Sequence, residues 1–139
     1  RIEEMERRNL WRWLGIPALM MIMLLLAACA ADCGWSGCGE AWIDQNEDGV
    51  WDDDEVPLDG VKFAIHDAKN NAYSPELMVS AKDGTVDLYM FLPGCPKVKL
   101  EVYVDTPAGY RLTTEARVPV SEEGEVARFG FAPVKGQNP

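Results

Sequence analysis

Six residues between positions 44 and 55 offer oxygen at the intervals a calcium loop requires. Asp44, Asn46 and Asp48 take the first, third and fifth places of a twelve-residue pattern. Gly49 takes the sixth, where the backbone must turn sharply, and Val50 at the seventh supplies only its carbonyl. Asp52 at the ninth ligates directly or through water, and Glu55 at the twelfth brings two oxygens. Calcium is a hard cation that takes six to eight oxygens at about 2.3–2.6 Å. Alternate side chains of a tightly turning loop converge in that way. Without a cation the same carboxylates repel one another. A run of acids is more often a solvated loop that binds nothing, but here Gly49 and Glu55 also fall on the pattern. The cofactor expected is therefore Ca2+.

The flanks decide what kind of loop this is. An EF-hand needs a helix on each side. Ala41-Trp42-Ile43, just upstream, reads as the end of a strand. Downstream, Pro57 and Gly60 stop any helix from continuing. The spacing predicts an EF-type loop set between strands, and not a helix pair that opens on binding calcium.

Beyond the loop the apolar period is two. Val61, Phe63 and Ile65 alternate with Lys62, Ala64 and His66, which places His66 on the outward phase. Leu77-Met78-Val79-Ser80-Ala81 predicts the next strand, and Asp83-Gly84 a hairpin turn. Val86, Leu88, Met90 and Leu92 share a face, as do Val98, Leu100, Val102 and Val104. Short strands follow around Val118 and Val120, and at Phe129 and Phe131. Six to eight strands at intervals of roughly 8–12 residues predict an all-β chain folded as a small antiparallel β-sandwich.

The N-terminus reads as a targeting segment. Arg7, Arg8 and Arg12 precede an apolar run over residues 14–28, broken only by Gly15 and Pro17. About 15 apolar residues match the core of a signal helix and fall short of the roughly 20 of a membrane span. The run ends in Leu26-Ala27-Ala28-Cys29, which resembles the bacterial lipobox. That resemblance implies lipidation of Cys29 and an exported protein anchored to a cell or outer membrane. A plain secretory cleavage and an uncleaved anchor helix are the alternatives. Arg1 is not an initiator, and Met5 is the expected start. The resulting division is a signal peptide over 1–28, a cysteine-bearing arm over 29–38, the sandwich over 39–133, and a mobile tail over 134–139.

Export places the remaining cysteines where disulfides persist. Cys33 and Cys38 can close a short loop, or either can reach Cys95, and three thiols leave one over. A zinc site of these three with His66 lacks the usual paired spacing. Trp42 is expected in the core beside the first loop ligand, Trp51 pinning the loop to the sheet, and Trp35 free to be exposed on the arm.

In order along the chain stand Asp44-x-Asn46-x-Asp48-Gly49, Pro57-Leu58-Asp59-Gly60-Val61, Asp83-Gly84, Leu92-Pro93-Gly94, Thr106-Pro107-Ala108-Gly109-Tyr110 and Phe129-Gly130-Phe131. Over residues 39–133 this succession resembles the SdrD B-like repeat, a prealbumin-like (Cna B-type) sandwich of bacterial surface proteins. The resemblance implies a calcium-stabilised stalk, spacer or adhesive module. It also implies the ligand set already read from the loop. Those repeats usually stand in tandem on wall-anchored chains, whereas this chain has one copy behind a lipobox. Related sandwiches carry a Lys–Asn isopeptide bond. Here Lys62 faces outward and no late-strand Asn opposes it.

The net charge of −10 opposes nucleic acid as a partner. No nucleophile elbow, phosphate loop or dinucleotide fingerprint occurs, and the acid pairs Asp53-Asp54 and Glu122-Glu123 are adjacent in sequence, which on a strand turns them to opposite faces. The expected role is therefore not enzymatic. It is structural or adhesive, toward a surface protein or glycan, with the membrane reached through lipid on Cys29. The alternative is a carbohydrate- or peptide-binding module that uses exposed aromatics and strand edges.

Overall fold

Strands form where apolar side chains recur at every second position, and also at one place where they do not. In the computed structural model, which describes residues 32–136, the fold is all β and the described residues contain no helix. The expected signal helix, Cys29 and the last three positions lie outside those residues. In chain order the strands are β1 (Cys33–Ile43), β2 (Val56–Pro57), β3 (Lys62–Asp67), β4 (Ala72–Tyr73), β5 (Met78–Val79), β6 (Thr85–Leu92), β7 (Leu100–Asp105), β8 (Tyr110–Leu112), β9 (Arg117–Val120) and β10 (Val126–Pro133).

They make two five-stranded sheets. In the first, β1 is central. It pairs with β10 in parallel, from Cys38↔Val126 to Ile43↔Phe131, and β8 follows on the far side of β10. The other side of β1 is shared along its length by β6, from Cys33↔Leu92 to Glu40↔Thr85, and by β2 at Trp42 and Ile43. In the second sheet β3 carries β4 and β5 on one side and β7 on the other, with β9 outside β7. All pairs except β1–β10 are antiparallel.

The sheets enclose one core in a sandwich-like arrangement. Trp35, Ala41, Leu88, Met90 and Phe129 come from the first sheet, and Phe63, Ile65, Leu100 and Val102 from the second. Phe63 and Phe129 meet edge to face at 5.6 Å across the layers. Each fully buried side chain of this size contributes roughly 1.5–3 kcal/mol.

Two expectations are corrected. The arm over 29–38 is not separate from the sandwich from Cys33 onward, because Cys33–Ile43 is one continuous strand. Its run of glycines reads as loop, yet a Cβ at Gly39 would stand 2.5 Å from the Phe63 ring. Small residues are needed there so that large rings can reach the strand. Trp35 is accordingly buried, 4% exposed, and its indole N–H donates to the Glu122 carbonyl at 2.8 Å. The strand expected over 77–81 shrinks to Met78–Val79. Beyond it Ser80 keeps main-chain bonds, its N–H to the Val61 carbonyl (2.9 Å) and its carbonyl to the Gly60 N–H (3.0 Å), while its hydroxyl donates to the Leu58 carbonyl at 2.9 Å and accepts from the Val61 N–H at 3.0 Å.

Asp67 closes β3 as a buried carboxylate, 2% exposed. Burial opposes its charge, but the N–H groups of Lys99 and Lys69 (3.0 Å each) and the Asn70 side-chain amide outweigh that and lower its pKa below the ordinary value. A depressed folded pKa gives stability that is present above the unfolded pKa of about 3.9 and lost as pH falls through the folded value. Asp67→Asn turns an acceptor into a donor facing donors. It is expected to cost about 1–3 kcal/mol at pH 7 and to flatten the fall in melting temperature below about pH 4. Thermal melts of both forms across pH 2–7 check this.

Candidate metal centre

The loop over residues 44–55 joins two neighbouring antiparallel strands, β1 and β2, so strands flank it on both sides. Its base is tied down by the Asp44 N–H to the Phe131 carbonyl (2.9 Å) and the Leu58 N–H to the Ala41 carbonyl (2.9 Å). Glu47 and Gly49 both have positive φ, 61° and 76°, which curls the loop back over its first residue.

Asp44 sits at the bottom, with no exposed surface. Its Oδ2 accepts from the Gly49 N–H (2.9 Å) and from the Thr113 hydroxyl (2.5 Å). Its Oδ1 is buried and has no hydrogen-bond partner. Burial again opposes the charge, and the Thr113 hydroxyl with the N–H groups of Gly49, Glu47 and Asp48 more than offsets it, so the pKa lies below the ordinary value. The carboxylate stays ionised at neutral pH with one oxygen unsatisfied. An unpaired buried acceptor costs on the order of 1–3 kcal/mol, and more when charged.

The other loop residues are turned on themselves. Asn46 Oδ1 accepts from the Asp48 N–H (3.1 Å), and Asp48 Oδ1 from the Val50 N–H (2.8 Å). Glu55, also buried, accepts from the Gln45 N–H at Oε1 (2.7 Å) and from the Asp52 N–H at Oε2 (3.2 Å). The Asn46 side-chain amide donates to both Asp48 Oδ2 (3.1 Å) and Asp52 Oδ2 (2.9 Å). A partial positive charge thus bridges two carboxylates, the electrostatic task that a cation would perform more strongly. The Val50 side chain is exposed. Among the described residues no three His, Cys, Asp or Glu groups converge closely enough to hold an ion as they stand.

No protein-family profile matches this chain, and no curated protein matches it in sequence. The chemistry of the loop must be read from its own donors. They are all oxygen, they are mostly anionic, and one of them is a buried carboxylate oxygen with nothing to bind. Two like charges about 4 Å apart near a surface repel by roughly 4 kcal/mol. A hard divalent cation relieves both problems at once, and a soft thiolate-seeking metal relieves neither.

Three partners of the site carry no sequence signal at the loop itself. Thr113 holds Asp44 from 69 residues away. Gly130 makes room for this meeting, since a Cβ there would stand 2.6 Å from Thr113 Oγ1 and 3.1 Å from Asp44 Cβ. Arg111 pairs with Glu47 at 2.5 Å over the outside of the loop. Trp51 stacks on Trp42 with centroids 5.6 Å apart and planes 5° from parallel, so the loop covers the outer face of β1 with an aromatic lid. Trp42 is fully buried.

The cysteines divide as follows. Cys33, at the start of β1, is bonded to Cys95 in the turn after β6, with Cα atoms 5.0 Å apart. Cys38 is a free, half-buried thiol whose Sγ faces the Gly39 carbonyl at 3.5 Å. His66 stacks on Tyr73 at 4.4 Å and lies beside Arg117 and Glu101, with no cysteine in that group.

Proposed function

We propose that this chain is a calcium-stabilised β-sandwich module displayed outside the cytoplasm of a bacterium. It is anchored to a membrane by lipid on Cys29 and serves a structural or adhesive role. The observation that carries the metal reading is Asp44 Oδ1, a buried, charged and unpartnered acceptor at the first position of a loop whose remaining donors are oxygens. Asp44, Asn46, Asp48, the Val50 carbonyl, Asp52 and Glu55 would hold the ion. Bound calcium would supply charge neutralisation, and the chain's own residues would supply the frame: Thr113 and Gly49 orient Asp44, and Trp51 packs the loop onto Trp42.

The resemblance to SdrD B-like repeats supports the same reading, as does the lipobox-like stretch before Cys29. The described residues 32–136 form one compact unit, which suits a module carried on an anchor. The test is thermal melting of that unit with calcium and with chelator. A rise of roughly 10–20 °C is expected at a hundredfold excess over the dissociation constant, equivalent to about 2.7 kcal/mol. Superimposable melts would overturn the metal reading. For the anchor, cells fed a labelled fatty acid should label the full chain, and Cys29→Ala should abolish both the label and membrane retention. Label that persists in Cys29→Ala would refute lipidation there.

A further inference from the structure

The six outer strands of the two sheets are not equally protected. β2, β4 and β5 are two residues long, and β8 is three. β9 carries Arg117 and Pro119, a cation and a residue without an N–H, the usual devices that discourage strand addition. The eight-residue β6 is an outer strand too, paired among the described residues with β1 alone, and it contains no Lys, Arg, Pro or Gly.

Its register shows what the open side offers. Ser36 and Cys38 of β1 direct their main-chain groups toward the β10 side, through Gly124 N–H to Ser36 C=O (2.9 Å) and Cys38 N–H to Glu125 C=O (3.0 Å). The odd-numbered residues of β1 therefore face β6, where Trp35↔Met90 and Gly37↔Leu88 are opposed. By alternation, Asp87, Tyr89 and Phe91 turn their N–H and C=O groups to the open side. Thr85, of the same phase, uses its C=O there to accept from the Ala81 N–H (2.8 Å). The side chains of that phase are exposed as well, Tyr89 by 55% and Phe91 by 49%. With Pro75, Glu76, Met78 and Asp87 they line a cleft of about 200 Å³.

We propose that β6 is a docking edge for an extended segment of a partner protein that alternates apolar and basic residues. The main chain of the partner would extend the sheet at Asp87, Tyr89 and Phe91. Its apolar side chains would pack on Tyr89, Phe91 and Met78, and its cations would face Asp87 and Glu76. Charge selects this occupant over a second copy, because two copies of a chain with net charge −10 would bring like-charged edges together. The inference deepens the interaction role proposed above and is independent of the calcium loop.

The test uses the full chain, with calcium and again with chelator, and a capped decapeptide alternating Val and Lys. Binding should slow hydrogen exchange at the amides of Asp87, Tyr89 and Phe91. The same peptide N-methylated at alternate residues keeps its charge but loses one hydrogen-bonding edge, and should bind roughly tenfold or more weakly. Tyr89→Pro removes an N–H that β1 does not use, so it should fold and lose the peptide. Asp87→Lys should weaken the Val/Lys peptide and favour a Val/Glu one. Equal binding of the methylated peptide, or protection confined to other strands, would overturn the proposal. So would dimerisation through β6, or an oligosaccharide that occupies Tyr89 and Phe91 while those amides still exchange freely. Because both calcium conditions are run, failure of the metal reading would leave the β6 result standing.

Discussion

Asp44→Ala is expected to destabilise the domain by about 2–4 kcal/mol in chelator, and by about 2.7 kcal/mol more when calcium stands at a hundredfold excess over its dissociation constant. The first cost arises because the Gly49 N–H and the Thr113 hydroxyl lose a charged acceptor in a buried place. The second is the binding free energy that the native state no longer gains. Asp48→Ala separates the two. Asp48 is exposed, and it shares the bridging Asn46 amide with Asp52. In chelator its removal relieves repulsion among the loop acids, so the melting temperature should stay level or rise slightly. In calcium the same variant should melt well below the parent chain. A sign that depends on calcium is difficult to produce by packing alone. Melts of the three proteins in both buffers check it, and equal effects in both buffers would remove calcium from the account.

Reduction of Cys33–Cys95 is the other large effect. The bond spans 62 positions and ties the first residue of β1 to the turn leaving β6. A loop of that size restricts the unfolded chain by roughly 4 kcal/mol in the chain-entropy picture. Cys33→Ser with Cys95→Ser is therefore expected to lower stability by about 2–4 kcal/mol, measured by urea unfolding with the slope m compared as well. Since β1 and β6 remain paired over eight positions, the native sheet should persist and calcium should still bind. Loss of calcium binding in this variant would mean that the two ends of β1 are coupled more tightly than the pairing implies.

How far these features could be read from the chain varies with how local they are. The turn between β1 and β2 is legible because its oxygen-bearing residues fall at fixed spacing, and Pro57 and Gly60 are enough to exclude a following helix. The alternation in β7 is legible because one face is buried and the other is not. Thr113 is not legible: it meets Asp44 only because β8 and β1 both lie against β10. The first half of β1 is hidden for a different reason. Cys33, Gly34, Gly37, Cys38 and Gly39 carry little strand propensity, and their strand is imposed by β6 and by rings that need the space. The choice of Cys95 as partner for Cys33 depends on the same pairing, which sets Leu92 opposite Cys33 and so brings the following turn alongside. Asp67 is half legible: its donors at Lys69 and Asn70 are local, whereas the Lys99 N–H comes from 32 positions away.

Isothermal titration of residues 32–139 with calcium, repeated on Asp44→Ala, asks the central question most directly. One ion should bind per parent chain with measurable heat, and none should bind the variant. Absence of binding heat in the parent at millimolar calcium, or undiminished binding in Asp44→Ala, would contradict a metal held at the loop between β1 and β2.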